Sequence, residues 1–219
     1  MDAHKQKIID DCETQIYNLL EDWNIAHTTG CVGGKMRELR GSSIETFVIN
    51  TINSIGKIYE IDLTAVCGDD DKKDLVIERP DGQGKICKKH QVDVHIYFNH
   101  TFIAVIECKA YLDSCYYERA CSDFAYFQSF GYNVKKYIFT LENCIGSETK
   151  TFIDYANGGI CDNVFCMFDG KRNSVKPIYD SKYKKIVNKH SLVEFIKAIL
   201  VLAGAGGGTG AGTGAVDES

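Results

Sequence analysis

Three charged residues, Asp93, Glu107 and Lys109, interrupt two strongly apolar runs between positions 92 and 109. The polar Asn99-His100-Thr101 separates the runs, a pattern typical of two antiparallel strands joined by a tight loop. If those three residues form the loop, Asp93 falls directly opposite Glu107, with their Cβ atoms about 5 Å apart. Because strand side chains alternate, Lys109 lies on the same face as both carboxylates.

Two carboxylates that face each other across a strand pair repel each other unless a cation lies between them. Their oxygen atoms favour a hard divalent cation, so Mg²⁺ is expected before any transition metal. We therefore interpret the Asp93 and Glu107 pair as a magnesium site with Lys109 beside it.

Asp93, a gap of thirteen residues and then Glu107-Cys108-Lys109 resemble the Asp…(Asp/Glu)-x-Lys signature of the PD-(D/E)XK nuclease superfamily. Val92 stands where that family has proline. A literal Pro80-Asp81 lies upstream in a sequence typical of a turn, but a rigid strand is the better support for a catalytic ligand. The resemblance covers about residues 40 to 140 and includes Glu45, where the family carries an acidic residue on an earlier helix. It implies an α/β fold with a mixed central β-sheet flanked by helices, a restriction-endonuclease-like core.

The resemblance also implies a division of labour at the site. Asp93, Glu107 and the backbone carbonyl of Cys108 would hold Mg²⁺, and Glu45 would engage a second ion or a metal-bound water, so one or two ions are expected. Lys109 would hold the attacking water near the scissile phosphate, with a pKa lowered by burial beside the metal. Such a site hydrolyses phosphodiester bonds.

Glu45 has a second interpretation. The sequence predicts a helix from Ser42 to about Ser54 that Gly56 closes, and Ser42-x-x-Glu45 then forms a capping box at its start. In that role the glutamate satisfies a backbone N–H rather than a metal ion. The two roles do not exclude each other.

Charge is unevenly distributed along the chain. The whole sequence carries a formal net charge of −5, whereas residues 82 to 190 hold 15 Lys and Arg against 11 Asp and Glu. A protein with a basic face can bind double-stranded DNA although its net charge is negative, because the attraction of phosphate groups acts over short distances. Arg172 and Asn173 are the predicted base readers, since Arg pairs with guanine and Asn with adenine. The predicted DNA-binding residues are Lys88, Lys89, Gln91, Lys171, Arg172 and Asn173.

We expect a type II restriction endonuclease that cuts double-stranded DNA at a specific site, an expectation that rests on analogy. The alternatives are a DNA repair or junction-resolving nuclease and a non-catalytic DNA-binding module on the same scaffold. A homodimer is expected, because a two-fold protein presents one site to each strand. The apolar helices at residues 114–130 and 191–202 are the candidate interfaces. No P-loop, dinucleotide fingerprint or Gly-x-Ser-x-Gly elbow is present.

The 219 residues suit a single nuclease domain over 1–202 with an N-terminal helical extension, followed by a flexible Gly/Ala/Thr-rich tail over 203–219. No signal peptide or membrane-spanning run is evident, so no membrane partner is expected. Ten cysteines without a Cys-x-x-Cys predict reduced thiols in a cytoplasmic protein. Further helices are predicted at residues 8–23 and 148–157, and strands at 74–78, 85–98, 136–141 and 163–167.

Overall fold

The computed structural model describes residues 3–78, 84–145, 160–170, 172–173, 175–180, 182–183 and 185–204. The predicted helix at 148–157, the turn at 80–82, Lys171 and all but the first two residues of the predicted tail lie outside these ranges. The described helices are α1 (Ala3–Thr28), α2 (Gly33–Ile58), α3 (Ser114–Ser129) and α4 (Lys189–Leu202). The described strands are β1 (Leu63–Cys67), β2 (Lys73–Glu78), β3 (Lys85–His90), β4 (Val94–Phe98), β5 (Thr101–Leu112), β6 (Lys135–Asn143) and β7 (Asn163–Cys166).

The central sheet is mixed, with the strand order β1-β4-β5-β6-β7. The first three of these strands are antiparallel, and β5, β6 and β7 are parallel. α3 makes the crossover between the parallel strands β5 and β6, as their parallel pairing requires. This arrangement confirms the predicted α/β class with a mixed sheet flanked by helices. β1 was not predicted, although its buried Leu63 and Ala65 alternate with the exposed Thr64.

The β4–β5 hairpin differs from the prediction in its loop but not in its register at the proposed site. The loop has two residues, Asn99 and His100, both with positive φ (48° and 60°), which is the backbone of the tightest hairpin turns. A bulge then leaves Ile103 without a partner on β4. The shorter loop and the extra residue offset each other, so Val94 still pairs with Ile106 and the next position places Asp93 at the level of Glu107.

Helices cover both faces of the sheet because successive residues of β5 and β6 point to opposite sides. Ala104, Ile106 and Cys108 pack with the apolar stripes of α1, α2 and α4. Val105 on the other face packs with Tyr117, Phe124 and Phe127 of α3. The site residues of β5 therefore lie between two packed layers.

Two predicted features of the helices are corrected. α2 begins at Gly33 rather than Ser42 and continues past Gly56, where an added Cβ would lie 2.4 Å from the Leu63 carbonyl oxygen. Gly56 therefore permits close approach of β1 instead of ending the helix. The apolar faces that suggested dimer interfaces belong to the core, since Phe124 and Phe127 of α3 and the apolar stripe of α4 are fully buried.

All ten cysteines are free thiols; Cys12, Cys108 and Cys161 are buried, and Cys87 and Cys115 are exposed. Among the described helices, none has both the length and the apolar composition that crossing a bilayer requires.

Candidate active site

Asp93 lies in the short connection between β3 and β4, and three hydrogen bonds fix it. The Gly68 N–H donates to the Asp93 carbonyl oxygen at 3.0 Å, and the Val92 N–H donates to His95 Nε2 at 3.3 Å. The side chain is fixed too, because Asp93 Oδ2 accepts the Cys108 N–H at 2.7 Å. The Asp93 segment is thus held by the residue that follows β1, by β4 and by β5.

His95 is fully buried and works as a structural histidine. Its Nδ1 lies 3.0 Å from Asp71 Oδ2, so Nδ1 donates a proton there and Nε2 is left to accept from Val92. Burial lowers the pKa of His95, which favours the neutral ring that this arrangement requires. Tyr97 and Lys73 also donate to Asp71, so the Asp71 carboxylate anchors the histidine that positions the Asp93 segment.

Replacing Gly68 by Ala is expected to displace this segment. An added Cβ would lie 1.8 Å from the Val92 carbonyl oxygen, a distance that no real contact reaches. We expect a loss of stability of about 3 kcal/mol and a large loss of any activity that depends on Asp93. Thermal denaturation and a cleavage assay check this.

Gly34→Ala is the matched control, because a Cβ there meets nothing within 4 Å. A Gly68→Ala protein as stable and as active as Gly34→Ala would show that the close approach does not position Asp93.

The three charged residues that the sequence singles out are in contact: the Lys109 ammonium lies against both carboxylates. Lys109 Nζ contacts Glu107 Oε1, lies 3.3 Å from Asp93 Oδ2 and 3.1 Å from the Cys108 carbonyl oxygen. These are the three groups predicted to hold the metal ion. Glu107 is 6% exposed and Lys109 is largely buried, so the charges interact with little screening.

Burial and the charge of Asp93 raise the pKa of Glu107, although the nearby ammonium opposes both. Burial alone would lower the pKa of Lys109, but the charges of Glu107 and Asp93 outweigh it and raise the pKa to about 12. The predicted lowering of the Lys109 pKa refers to a site with a bound metal ion and stays a prediction; where the two carboxylates alone face the ammonium, the pKa is raised.

Glu45 lies inside α2, twelve residues from its first residue, and does not cap the helix. The Ser42 hydroxyl donates to the carbonyl oxygens of Glu38 at 3.0 Å and Leu39 at 3.3 Å, so no capping box forms. Burial and the charge of Asp93 raise the pKa of the Glu45 carboxyl to about 7. The capping interpretation is wrong, and Glu45 belongs electrostatically to the Asp93 cluster.

The raised pKa of Glu45 predicts a pH dependence of stability. Between its usual value of 4.5 and about 7, the folded protein holds this proton and the unfolded chain does not. The stability that the protonated Glu45 contributes relative to its ionised form is therefore fully present below pH 4.5 and is lost as the pH rises to about 7. Glu45→Gln removes this pH dependence, so its free energy of unfolding should rise by about 1 kcal/mol relative to the wild type between pH 5 and pH 8, a figure reduced because the side chain is partly exposed.

Urea denaturation at both pH values checks this, with Glu38→Gln on the exposed face of the same helix as the control. Parallel pH profiles for the wild type and Glu45→Gln would contradict it.

The residues at this site fit Mg²⁺ in kind. Asp93, Glu107 and Glu45 offer carboxylate oxygens and Cys108 a carbonyl oxygen, the ligands that a hard cation prefers. Among the described residues, no three His, Cys, Asp or Glu side chains already stand close enough together to hold an ion by themselves. Mg²⁺ commonly binds through one or two carboxylates and keeps several waters, so this donor set is sufficient.

A cavity of about 250 Å³ opens over these carboxylates, with Glu45, Asp93, Glu107 and Lys109 in its lining. Sequence reasoning missed seven further lining residues: Arg37, Arg40, Gly41, Ala110, Tyr111, Tyr116 and Arg119. Spacing held a signal for two of them, since Arg37, Gly41 and Glu45 are four residues apart and lie along one stripe of a helix. A helix taken to begin at Ser42 concealed that stripe.

The predicted DNA-binding residues of β3 lie outside this cavity. Lys88 and Lys89 are exposed; Lys88 Nζ lies 4.8 Å from the centre of the Tyr126 ring, and Lys89 Nζ is 3.9 Å from Asp74. Gln91 donates to Asp69 Oδ1 at 2.7 Å. Lys88 and Lys89 thus lie on β3 of the two-stranded sheet, and Gln91 lies in the connection after it that also contains Asp93.

The predicted base readers are engaged within the protein. The Arg172 guanidinium lies 3.8 Å from the centre of the Tyr111 ring and 3.8 Å from the buried Glu142 carboxylate. Asn173 Oδ1 accepts the N–H groups of Val175 and Lys176. Base reading by these residues stays a prediction, and adenine recognition would require Asn173 to exchange these bonds.

Comparison with known proteins gives little. No protein-family model matches the chain, and no curated protein matches it. One similar solved structure is described as the native BbvCI A2B2 tetramer at low resolution. It covers 94% of this chain and 97% of that chain, with 8% sequence identity and a TM-score of 0.41.

Proposed function

We propose that this protein is a Mg²⁺-dependent endonuclease that hydrolyses phosphodiester bonds of double-stranded DNA, and that it acts as a type II restriction endonuclease. The observation that carries the proposal is the contact of Lys109 Nζ with the Asp93 and Glu107 carboxylates and the Cys108 carbonyl. Holding a lysine against the buried Glu107 and the partly buried Asp93 beside a cavity costs desolvation free energy, and such charge clusters concentrate at functional sites.

The residues divide the chemistry as follows. Asp93, Glu107 and the Cys108 carbonyl would hold Mg²⁺, with Glu45 beside them for a second ion or a bound water. When bound, Mg²⁺ would neutralise charge on the phosphate and lower the pKa of water. Lys109 holds the attacking water by hydrogen bonding and donates to a phosphate oxygen. The loss of negative charge around Lys109 on metal binding would also reduce the pKa elevation that Asp93 and Glu107 cause.

The substrate assignment rests on charge. Lys88 and Lys89 stand exposed on the strand that leads to Asp93, and Arg37 and Arg119 line the cavity itself. Phosphate groups bind such positions without regard to sequence. Cutting both strands of a duplex needs two copies of the site, so we propose a homodimer in which each chain serves one strand.

Supercoiled plasmid incubated with the protein and Mg²⁺ tests the proposal, with a chelator as the control. Discrete linear fragments of constant size are expected. A smear or nicks at random positions would favour a non-specific or junction-resolving nuclease. DNA binding without cleavage would favour the non-catalytic module and overturn the enzymatic assignment.

A further inference from the structure

The cavity contains two arginines, Arg37 and Arg119, that have no part in the proposed bond cleavage. Arg37 comes from α2 and Arg119 from α3, the helices that pack on opposite faces of the sheet. Both side chains are exposed, and among the described residues no carboxylate pairs with either guanidinium. Two such cations, contributed by separate helices to one cavity, indicate a site for an anion between them.

Arg37 is placed too far along the helix to share the reacting phosphate. Eight residues separate it from Glu45, a rise of about 12 Å along the axis of α2. Helical side chains also lean toward the N-terminus, which carries the Arg37 guanidinium further from the carboxylates. Arg37 nevertheless lines the same cavity as Tyr116 of α3, and its positive charge opposes the rise in the pKa of Tyr116 that the hydrogen bond with Tyr111 causes.

Arg40, the third arginine at this cavity, differs. Its Nε donates to the Met36 carbonyl oxygen at 3.2 Å, and its guanidinium lies 5.9 Å from the centre of the Tyr179 ring. These contacts turn Arg40 toward the protein, so the anion site consists of Arg37 and Arg119.

Between Arg37 and Glu45, the floor of the cavity is formed by Gly41, a glycine inside α2. Glycine is unfavourable there, and packing does not require it at position 41, since an added Cβ would meet only Glu45 Oε1, at 3.8 Å. A bound group that approaches the backbone of α2 would explain why a side chain is missing at this point of the cavity.

We propose that Arg37 and Arg119 bind an internal backbone phosphate next to the scissile one, with Gly41 leaving room for the strand against α2. This inference rests on the proposed nuclease function and names the part of the substrate that the cavity holds. It assigns Arg37 and Arg119 to substrate positioning rather than to bond cleavage.

Binding of a fluorescein-labelled DNA duplex to the cleavage-deficient Glu107→Gln protein in Mg²⁺ tests the proposal. Added to that protein, Arg37→Ala or Arg119→Ala should each weaken binding roughly ten- to hundredfold. Each should also reduce the slope of log K against log salt by about one unit. Lys35→Ala, an exposed cation of α2 outside the cavity, is the matched control and should have a smaller effect. Equal effects of the arginine variants and Lys35→Ala would overturn the proposal.

Gly41→Ala distinguishes a role of Gly41 in DNA binding from a purely structural role, because it should raise stability and weaken DNA binding at the same time. Its melting temperature should rise by about 2–4 °C, because alanine favours the helix, while DNA binding weakens. Gly34→Ala should leave binding unchanged. Binding by Gly41→Ala at the wild-type level would contradict the assigned floor.

The source of the phosphate is identified with modified duplexes. A neutral methylphosphonate placed next to the bond that the wild type cleaves should weaken DNA binding by the Glu107→Gln protein. It should not further weaken DNA binding when that protein also carries Arg37→Ala. Dependence on a 5′-terminal phosphate, with no effect of the internal substitution, would overturn the internal assignment. If the wild type neither cuts nor binds DNA, the proposed function is wrong. If the wild type cuts DNA and the arginine variants bind it normally, only this inference is wrong.

Discussion

Replacing Asp93 by Asn, or Glu107 by Gln, should reduce Mg²⁺-dependent cleavage by at least about 10³-fold while the protein remains folded. Asparagine keeps an oxygen that can accept the Cys108 N–H, now at 2.7 Å from Asp93 Oδ2, so the local structure should survive. Glutamine removes a buried charge from Glu107, whose pKa is already raised by burial and by Asp93. Both changes remove a ligand charge without removing its volume.

Cleavage rates on plasmid and melting temperatures measured in parallel check this prediction. DNA binding should persist or strengthen, because a negative charge facing the phosphates is lost. Glu21→Gln on the exposed face of α1 is the matched control and should cleave normally. Cleavage retained by either Asp93→Asn or Glu107→Gln would refute the assigned centre.

Replacing Lys109 by Met should lower the cleavage rate by about 10²–10⁴-fold, the range expected when a group that assists proton transfer is lost. Metal binding should move in the opposite direction. In the wild type the ammonium contacts Asp93, Glu107 and the Cys108 carbonyl, the three groups that would hold Mg²⁺, so the ammonium and the ion would compete for them. Without the ammonium, the two carboxylates repel each other and Mg²⁺ relieves that repulsion directly.

The expected signature is therefore a larger rise in melting temperature on adding Mg²⁺ in Lys109→Met than in the wild type, together with a loss of cleavage. Without Mg²⁺ the variant should be less stable than the wild type, because a buried charge cluster has lost its cation. Lys35→Met is the control for loss of a lysine. An equal Mg²⁺ response in the variant and the wild type would show that Lys109 and the ion do not compete.

The β4–β5 hairpin and its charged residues could be predicted from the sequence because they depend on local rules. Strand alternation alone places Glu107 and Lys109 on one face and Cys108 in the core. The loop was predicted one residue too long, yet the bulge at Ile103 restored the register between Val94 and Ile106. Asn99 and His100 carried the signal for the tighter turn, since both residue types tolerate positive φ.

The surroundings of the hairpin followed other rules. Ser42-x-x-Glu45 looked like a helix start, because capping signals and helix interiors use the same residue types, and the upstream Gly33-Gly34 are poor helix formers. The helix in fact begins at Gly33, and its packing on the sheet outweighed the poor local propensity of the two glycines.

The sequence by itself determined the charged triplet of the hairpin, the mixed α/β class and the order of most elements, because these follow from periodicities of two and 3.6 residues. Only the tertiary structure decided that Gly68 and His95 hold the Asp93 segment, that Glu45 lies in one cavity with Asp93 and Glu107, and that the apolar faces of α3 and α4 are core. Those relations join residues far apart in the chain, and which surfaces meet depends on packing free energy rather than on any local pattern.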